Sequence, residues 1–267
     1  MLSTLYRILI ELTNGRLTSG LLKRFATSRL SRFIIPSFAK VYNLNLLEME
    51  KELPEFSTLH DLFTRRLKPD ARIQDSSVNT VTSPVDGVLE DFGIISKSNE
   101  IKVKGKMYSI GEMLGSEAVL NKYLEGSYMV IYLSPTNYHR IHSPVSGEII
   151  EQWTLGKKSY PVNKLGLKYG RRPLSKNYRR ISEIKHENGH IAVVKVGAMF
   201  VNSIEMVHEG SKINKGDELA YFTFGSTVVL LFEKNTFTLS PELAPPTPVI
   251  VGQKLGEIKM NGFEEKK

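Results

Sequence analysis

The stretch FTFGSTVVLLFE, residues 222–233, predicts a β-strand that is buried on both faces. Its residues 227–229 are β-branched and favour extended backbone. Gly225 and Ser226 interrupt the apolar pattern, and a glycine within a strand typically marks a bulge or a close approach of another backbone. A serine hydroxyl is costly to bury without a hydrogen-bond partner. Taken alone, the stretch favours a β-bulge whose serine caps a backbone group.

Strand-like runs also surround this stretch. From about residue 82 onward, short apolar runs are separated by Gly, Asn and Pro, which predicts a mainly β domain. The runs are GVLEDFGII (87–95), IKVKG (101–105), YMVIYL (128–133), GEIIEQWTL (147–155), HIAVVKVGAMFV (190–201) and ELAYFTFGSTVVLLFE (218–233).

Turn motifs recur between the strand-like runs. SPVDG (83–87) returns as SPVSG (143–147), and residues 207–222 and 249–258 each have a valine, then a glycine, then Lys-Gly or Leu-Gly before a strand-like run. Such turns resemble those of the sandwiched barrels of biotinyl and lipoyl carrier domains, although the Met-Lys-Met-like turn of a carrier lysine is not found. We therefore expect an α+β fold: N-terminal amphipathic helices followed by a mainly β domain with barrel-sandwich-like turn repeats.

The first 55 residues predict basic amphipathic helices. Candidate caps are Thr18 or Ser19 for the second helix and Ser28 for the third, and a further helix pattern begins at Ser57. The profile fits helices lying on an anionic membrane surface, and it equally fits a helical bundle packed on the domain. The apolar faces consist of Leu2, Leu5, Leu9 and Leu12, then Leu21, Leu22 and Phe25, then Leu30, Phe33 and Ile34.

Composition narrows the classes of function. The 267 residues are 41% hydrophobic, which is enough for a sizeable core, and the absence of cysteine excludes disulfides and thiol catalysis. The net charge of +8 favours an anionic partner, but scattered aromatics give no support for nucleic-acid binding. The sequence also predicts neither a signal peptide nor a transmembrane helix.

Besides Ser226, three residues could take part in catalysis. The segment NYHRIHSP (137–144) contains His139 and His142, which face opposite ways if the segment is extended. A third ligand for a metal is not in register, since His186, His190 and His208 lie far along the chain, so no metal site is expected. Asp86 stands at the one position where the two SPVxG turns differ.

A carboxylate, histidines and a serine are the parts of a triad that activates a nucleophile. Ser226 is not on the exposed elbow typical of a hydrolase. Its own Gly225–Ser226 peptide bond is a different target, because glycine lacks a Cβ and leaves the carbonyl open to a tethered hydroxyl.

At this point the chain resembles the phosphatidylserine decarboxylase family, pyruvoyl-dependent lyases made as self-cleaving proenzymes. The resemblance covers most of the chain after about residue 55, and the family's usual Leu-Gly-Ser-Thr is here Phe-Gly-Ser-Thr, residues 224–227. The matching blocks are FTRRLKPDAR (63–72), SPVDG (83–87), VKGKMYSIGEML (103–114), YLSPTNYHRIHSPVSG (132–147), SYPVNKLGLKYG (159–170), VGAMFVNSI (196–204) and KGDELAYFTFGSTVVLLFE (215–233).

The resemblance implies a self-processing triad of Asp86, His142 and Ser226. The Ser226 hydroxyl would attack the Gly225 carbonyl, and elimination would release residues 1–225 (beta chain) from residues 226–267 (alpha chain). Residue 226 would become a covalent pyruvoyl cofactor derived from serine. A Schiff base between this group and phosphatidylserine would release CO2 and give phosphatidylethanolamine, with His139 as the candidate acid.

The resemblance also implies partners and a location. We expect residues 1–55 to associate with an anionic membrane surface and residues 56–267 to form the catalytic domain. We also expect the two chains to stay together, and the enzyme to be peripheral on the cytoplasmic face of the cell membrane. A homo-oligomer is compatible with the sequence. The basic residues between Lys157 and Lys185 are either a solvated face or a site that captures the substrate phosphate.

Three alternatives remain open on sequence. The first is a non-enzymatic biotinyl- or phosphocarrier-like β domain, which would leave the chain intact. The second is a peripheral membrane adaptor, which would bind membranes but release no CO2. The third is a pyruvoyl decarboxylase of a soluble amino acid, against which the amphipathic N-terminus argues.

Overall fold

The computed structural model describes residues 16–158, 160, 162, 172–198, 204–223 and 226–259. Helices precede a mainly β body, so the predicted α+β class is confirmed. The helices are α1 (Arg16–Ala26), α2 (Ile35–Tyr42), α3 (Leu59–Phe63), α4 (Ile110–Leu114), α5 (Glu117–Tyr123) and α6 (Pro173–Lys176), with 3-10 turns at Arg29–Ile34, Leu53–Glu55 and Pro69–Ala71. The predicted stripe of Leu2, Leu5, Leu9 and Leu12 lies outside the described residues.

Within the described residues, sixteen strands form the body. They are β1 (Thr80–Thr82), β2 (Gly87–Ile94), β3 (Glu100–Val103), β4 (Lys106–Ser109), β5 (Ser127–Leu133), β6 (Arg140–His142), β7 (Gly147–Leu155), β8 (Arg179–His186), β9 (Gly189–Gly197), β10 (Ile204–Met206), β11 (Lys212–Ile213), β12 (Glu218–Phe222), β13 (Ser226–Phe232), β14 (Phe237–Leu239), β15 (Thr247–Val249) and β16 (Lys254–Ile258).

The strands form one large sheet and three smaller ones, packed in a sandwich-like arrangement. The large sheet has eight antiparallel strands in the order β11-β7-β8-β9-β13-β5-β2-β15. Two three-stranded sheets have the orders β1-β16-β14 and β10-β12-β6, and β3 pairs with β4 alone. The large sheet is symmetric about its centre when β2, β5, β13 and β15 are matched with β7, β8, β9 and β11. This symmetry indicates an internal repeat of the fold.

The two SPVxG turns are equivalent points of this repeat, and they contact each other. The Thr82 amide donates to the Pro144 carbonyl at 3.0 Å, and the His142 amide donates to the Pro84 carbonyl at 2.8 Å. Each turn ends in a glycine that begins a strand. A Cβ on Gly87 or its equivalent Gly147 would collide with a carbonyl oxygen of the neighbouring strand, so both positions require glycine.

Strand β13 lies at the centre of the large sheet. It pairs along its whole length with β5 on one side and β9 on the other, and all its residues are buried. Alternate side chains enter two hydrophobic clusters: Val228 and Leu230 enter the cluster that also contains the N-terminal helices, and Val229 and Leu231 enter the other. Helices α1 and α2 therefore share a core with the β body.

The stretch 222–233 is two strands, not the single bulged strand that its pattern predicts. Strand β12 ends at Phe222 in a small sheet, and β13 begins at Ser226 in the large one. The chain crosses between the sheets at residues 223–225, of which Phe224 and Gly225 lie outside the described residues. The crossing does not interrupt the pattern of a buried strand, because Phe222 before it and Ser226 after it are both buried.

Two predicted helix starts are also wrong. Helix α1 begins at Arg16, so Thr18 and Ser19 lie within it. Helix α3 is capped by Thr58, whose hydroxyl accepts from the Asp61 amide at 3.0 Å. Ser57 instead donates its amide to the Asp61 carboxylate at 3.2 Å. Ser28 does precede a helical turn, but its hydroxyl donates back to the Phe25 carbonyl.

Candidate active site

The segment between β5 and β6 meets the end of β12 and the start of β13, and this region defines the site. Residues 134–139 lead from β5 to β6, and residues 223–225 lead from β12 to β13. At one end Ser226 pairs with Leu133, and at the other the Phe222 amide donates to the His139 carbonyl at 3.0 Å. The segment from Leu133 to His139 therefore contacts both the last residue of β12 and the first residue of β13.

Ser226 is the first residue of β13 and is fully buried. Its backbone pairs with Leu133 and Gly197. Among the residues that the structure describes, its hydroxyl has no hydrogen-bond partner. An unsatisfied buried hydroxyl costs free energy, so its retention here calls for a functional reason.

His139 is fully buried beside this junction. Its Nδ1 donates to the Asn137 carbonyl at 2.8 Å, because a carbonyl can only accept, and this leaves Nε2 as the bare nitrogen. Nε2 has no partner within the described part of the chain. Burial, and then the nearby Arg65 charge, lower the pKa of His139 to about 3, so its resting form is the neutral imidazole.

Asp86 is buried and its carboxylate is fully engaged. Arg72 donates to both carboxylate oxygens, with Nε at 2.8 Å from Oδ1, and the Val251 amide donates to Oδ1 at 2.9 Å. The equivalent Ser146 makes the matching backbone bond, accepting from the Lys215 amide at 2.9 Å. The difference between the two turns is therefore the ion pair with Arg72.

His142 lies on β6 with both ring nitrogens occupied. Nδ1 donates to the Gly216 carbonyl at 2.7 Å, and Nε2 is 3.2 Å from the Tyr138 hydroxyl. Burial lowers the pKa of His142, while the Gly216 hydrogen bond and the charges of Glu218 and Asp86 oppose that shift.

The structure brings the four predicted residues into one region without a continuous hydrogen-bonded chain. The turn of Asp86 contacts His142 through its backbone, and His139 lies beside the crossing that leads to Ser226. Within the described residues, no hydrogen bond joins Asp86 to His142, or either histidine to Ser226.

Sequence reasoning missed three residues of this region: Arg65, Arg72 and Tyr138. The two arginines belong to FTRRLKPDAR, which we interpreted only as a helix and a family block. Arg72 lies 14 residues before Asp86 in another element, so no local sequence pattern links the two residues.

Part of the basic stretch between Lys157 and Lys185 has structural partners. Arg172 and Lys176 pair with Glu112, and Arg179 is buried and donates to three backbone carbonyls. Lys164, Lys168 and Arg171 lie outside the described residues. Within the described ranges, no cluster of His, Asp or Glu side chains could hold a metal ion.

The N-terminal helices carry an exposed apolar surface, formed by Leu21, Phe25, Leu30 and Phe33, which are 69%, 39%, 67% and 83% exposed. We call it the N-terminal apolar surface. Ala26 at the end of α1, and Ile35 and Phe38 of α2, are buried in the core. Exposed basic residues border the surface: Lys23, Arg24, Arg29 and Arg32. Among the described helices, none is long and apolar enough to cross a membrane.

Comparison with known proteins points to one family. The family model for phosphatidylserine decarboxylase matches residues 59–257. A protein of a Geobacillus species is 56% identical over 97% of this chain and its own full length, and one of Geobacillus kaustophilus is 57% identical over 94% of this chain and 96% of its own length. A protein of Anoxybacillus flavithermus is 56% identical over 96% of this chain and 97% of its own length. All three bear the name phosphatidylserine decarboxylase proenzyme, and with a match over nearly the whole length this chain belongs to the phosphatidylserine decarboxylase family.

Proposed function

We propose that this protein is a decarboxylase that converts phosphatidylserine to phosphatidylethanolamine and CO2, after it has cleaved its own chain between Gly225 and Ser226. The observation that carries the proposal is Ser226 itself: at the start of a central strand, it has a fully buried hydroxyl that finds no partner among the described residues. Family membership gives the substrate class.

The residues of the site have distinct roles in self-cleavage. Ser226 supplies the nucleophile, because its hydroxyl is held next to the Gly225 carbonyl by the chain and loses no bond when it moves. His142 accepts the proton of that hydroxyl, and Asp86 favours the imidazolium that forms, since its charge raises the pKa of His142. The ion pair with Arg72 holds the buried Asp86 carboxylate in place.

The position of Ser226 also fits a pyruvoyl group made from it. Forming the group would remove the Ser226 hydroxyl, which has no partner among the described residues, and would put a ketone oxygen in place of the backbone nitrogen. The group supplies a ketone that binds the substrate amine and accepts the electron pair left by CO2. His139 lies beside the same junction, and we propose that it handles the proton at the carbon that loses CO2.

His139 is the second candidate for the base that activates Ser226. Its segment runs beside the crossing to Ser226, and its Nε2 is bare and unprotonated at neutral pH. His142 differs because its Nε2 is 3.2 Å from the Tyr138 hydroxyl and is therefore engaged.

We also propose that the protein lies peripherally on the cytoplasmic face of the cell membrane. The N-terminal apolar surface and its basic border supply the two attractions that such binding needs, insertion of apolar side chains and contact with anionic lipid. The division into residues 1–55 for the membrane and 56–267 for catalysis follows from this proposal.

Intact-mass spectrometry of the purified protein tests the processing step. We expect two chains, 1–225 and 226–267, the second without a free amine at its start. Ser226→Ala should give one full-length inactive chain, because no alkoxide can form. A single uncleaved chain that releases CO2 from phosphatidylserine would contradict the proposal.

A further inference from the structure

Arg65 is a buried arginine without an acid partner. It follows helix α3, is only 5% exposed, and forms no ion pair within the described residues. Burial lowers its pKa to about 10. A buried, unpaired charge is costly, so this arginine needs an explanation beyond packing.

The guanidinium is directed at the segment that carries His139. Its Nη2 donates to the Thr136 carbonyl at 3.0 Å and to the Asn137 carbonyl at 3.2 Å. The Asn137 carbonyl is the same atom that accepts from Nδ1 of His139 at 2.8 Å. Arginine and imidazole thus converge on one oxygen.

The contact is reinforced from both sides. The Phe63 ring, two residues before Arg65, lies 4.0 Å from the His139 ring between centroids. In the opposite direction, Nε of Arg140 donates to the Thr64 carbonyl at 3.0 Å. The end of helix α3 and residues 136–140 therefore hold each other through reciprocal arginine bonds.

Resting on the proposed function, we propose that Arg65 is a positioning residue of the active site. It fixes the Asn137 carbonyl that selects the Nδ1–H form of His139, and its charge opposes a second proton on the ring. Nε2 is thereby kept as a lone pair that no group of the described residues engages. The guanidinium acts through His139 and touches no reacting atom itself.

Few charged or titratable groups surround Arg65 and His139. Arg65 is the charge that acts on His139, and it lowers the pKa of that histidine. Asp86 and Glu48 raise the pKa of Arg65, and Arg72 opposes them. Tyr138 and His142 are the titratable neighbours on the histidine's own segment.

Nitrogen NMR of histidine-labelled Ser226→Ala precursor tests the inference without any cofactor. In this precursor we expect His139 to be neutral, with the proton on Nδ1, from pH 8 down to about 5. An Nε2–H form or an imidazolium at pH 7 would overturn the proposal, and this spectrum requires no change at Arg65.

Variants at Arg65 then separate the effect of its charge on His139 from the effect of its packing. Arg65→Met should raise the titration midpoint of His139 by about 1 pH unit or more, and Arg65→Lys, which keeps the charge, should raise it less. The control is Arg66→Met, since Arg66 is 62% exposed and its removal should leave the midpoint unchanged. An unchanged midpoint in a folded Arg65→Met precursor would contradict the proposal. If His139 behaves as expected but the parent protein never cleaves, the proposed function fails and the role of Arg65 stands.

Discussion

At the scale of single residues, the two histidines differ more in their partners than in their distance along the chain. His139 has a bare Nε2, whereas both nitrogens of His142 are engaged. We expect His142→Ala and Asp86→Ala to accumulate uncleaved chain. We expect His139→Ala to cleave at least partly and to decarboxylate poorly, because a lost acid–base role costs about 10²–10⁴-fold.

A cleavage gel paired with CO2 release, both on the same preparation, measures the two steps. If His139→Ala blocks cleavage while His142→Ala is processed normally, His139 is the base for Ser226. If both variants cleave and decarboxylate like the parent, neither histidine takes part in the chemistry.

Arg72 also supports a prediction at this scale, because Asp86 is buried and depends on it for charge compensation. In the Ser226→Ala precursor, Arg72→Met should lower the free energy of unfolding by about 3–5 kcal/mol, since an unpaired carboxylate is left in the interior. Urea denaturation measures the loss. The exposed neighbour in the same motif, Arg66→Met, should change the unfolding free energy by less than about 1 kcal/mol. Equal effects of both substitutions would show that the ion pair does not stabilise the fold.

At the scale of elements, the N-terminal helices present apolar side chains on two sides. We expect Leu30→Ser with Phe33→Ser to weaken binding to anionic vesicles about tenfold or more while self-cleavage continues, because each inserted side chain contributes about 1.5–3 kcal/mol. Vesicle flotation and a cleavage gel measure the two properties.

The matched control for this pair is Ile73→Ser with Val78→Ser. These side chains are 83% and 86% exposed and lie outside the N-terminal apolar surface. Vesicle binding that falls equally in both pairs, or in neither, would argue that the surface does not contact the membrane.

Individual strands could be predicted well, and their connections could not. GEIIEQWTL matches the bounds of β7, Gly147–Leu155, because alternation and flanking glycines mark both ends. The crossing within residues 222–233 left no such mark, since Phe222, Thr223 and Ser226 on its two sides are all buried. Likewise Asp86 stood out from Ser146 in the sequence, but its partner Arg72 is 14 residues away in another element and leaves no local pattern.

At the scale of the whole molecule, buried neutral histidines link stability to pH. The pKa of His139 is lowered from 6.5 to about 3, that of His186 is lowered to about 4, and burial is the first cause for both. Below pH 6.5 the unfolded chain binds protons that the folded chain does not, so the free energy of unfolding falls as pH falls. Between pH 6 and 5 we expect a loss of about 1 kcal/mol per pH unit from His139 alone.

Urea midpoints of the Ser226→Ala precursor between pH 7 and 5 measure this slope in a single chain. His186→Gln, remote from the site at the β8–β9 turn, should make the slope shallower. An unfolding free energy that stays constant over this range would mean that these histidines accept protons in the folded state.

The central place of β13 has a consequence for a chain opened before Ser226. The strand keeps its ladders to β5 and β9 without any connection to β12, and residues 226–259 also supply β14, β15 and β16 to two sheets. The opened molecule is then a case of fragment complementation, in which a short piece completes the interior of a long one. Dissociation of either piece would expose both hydrophobic clusters. The time for which the protein stays folded and active is therefore set by how slowly its smaller fragment dissociates.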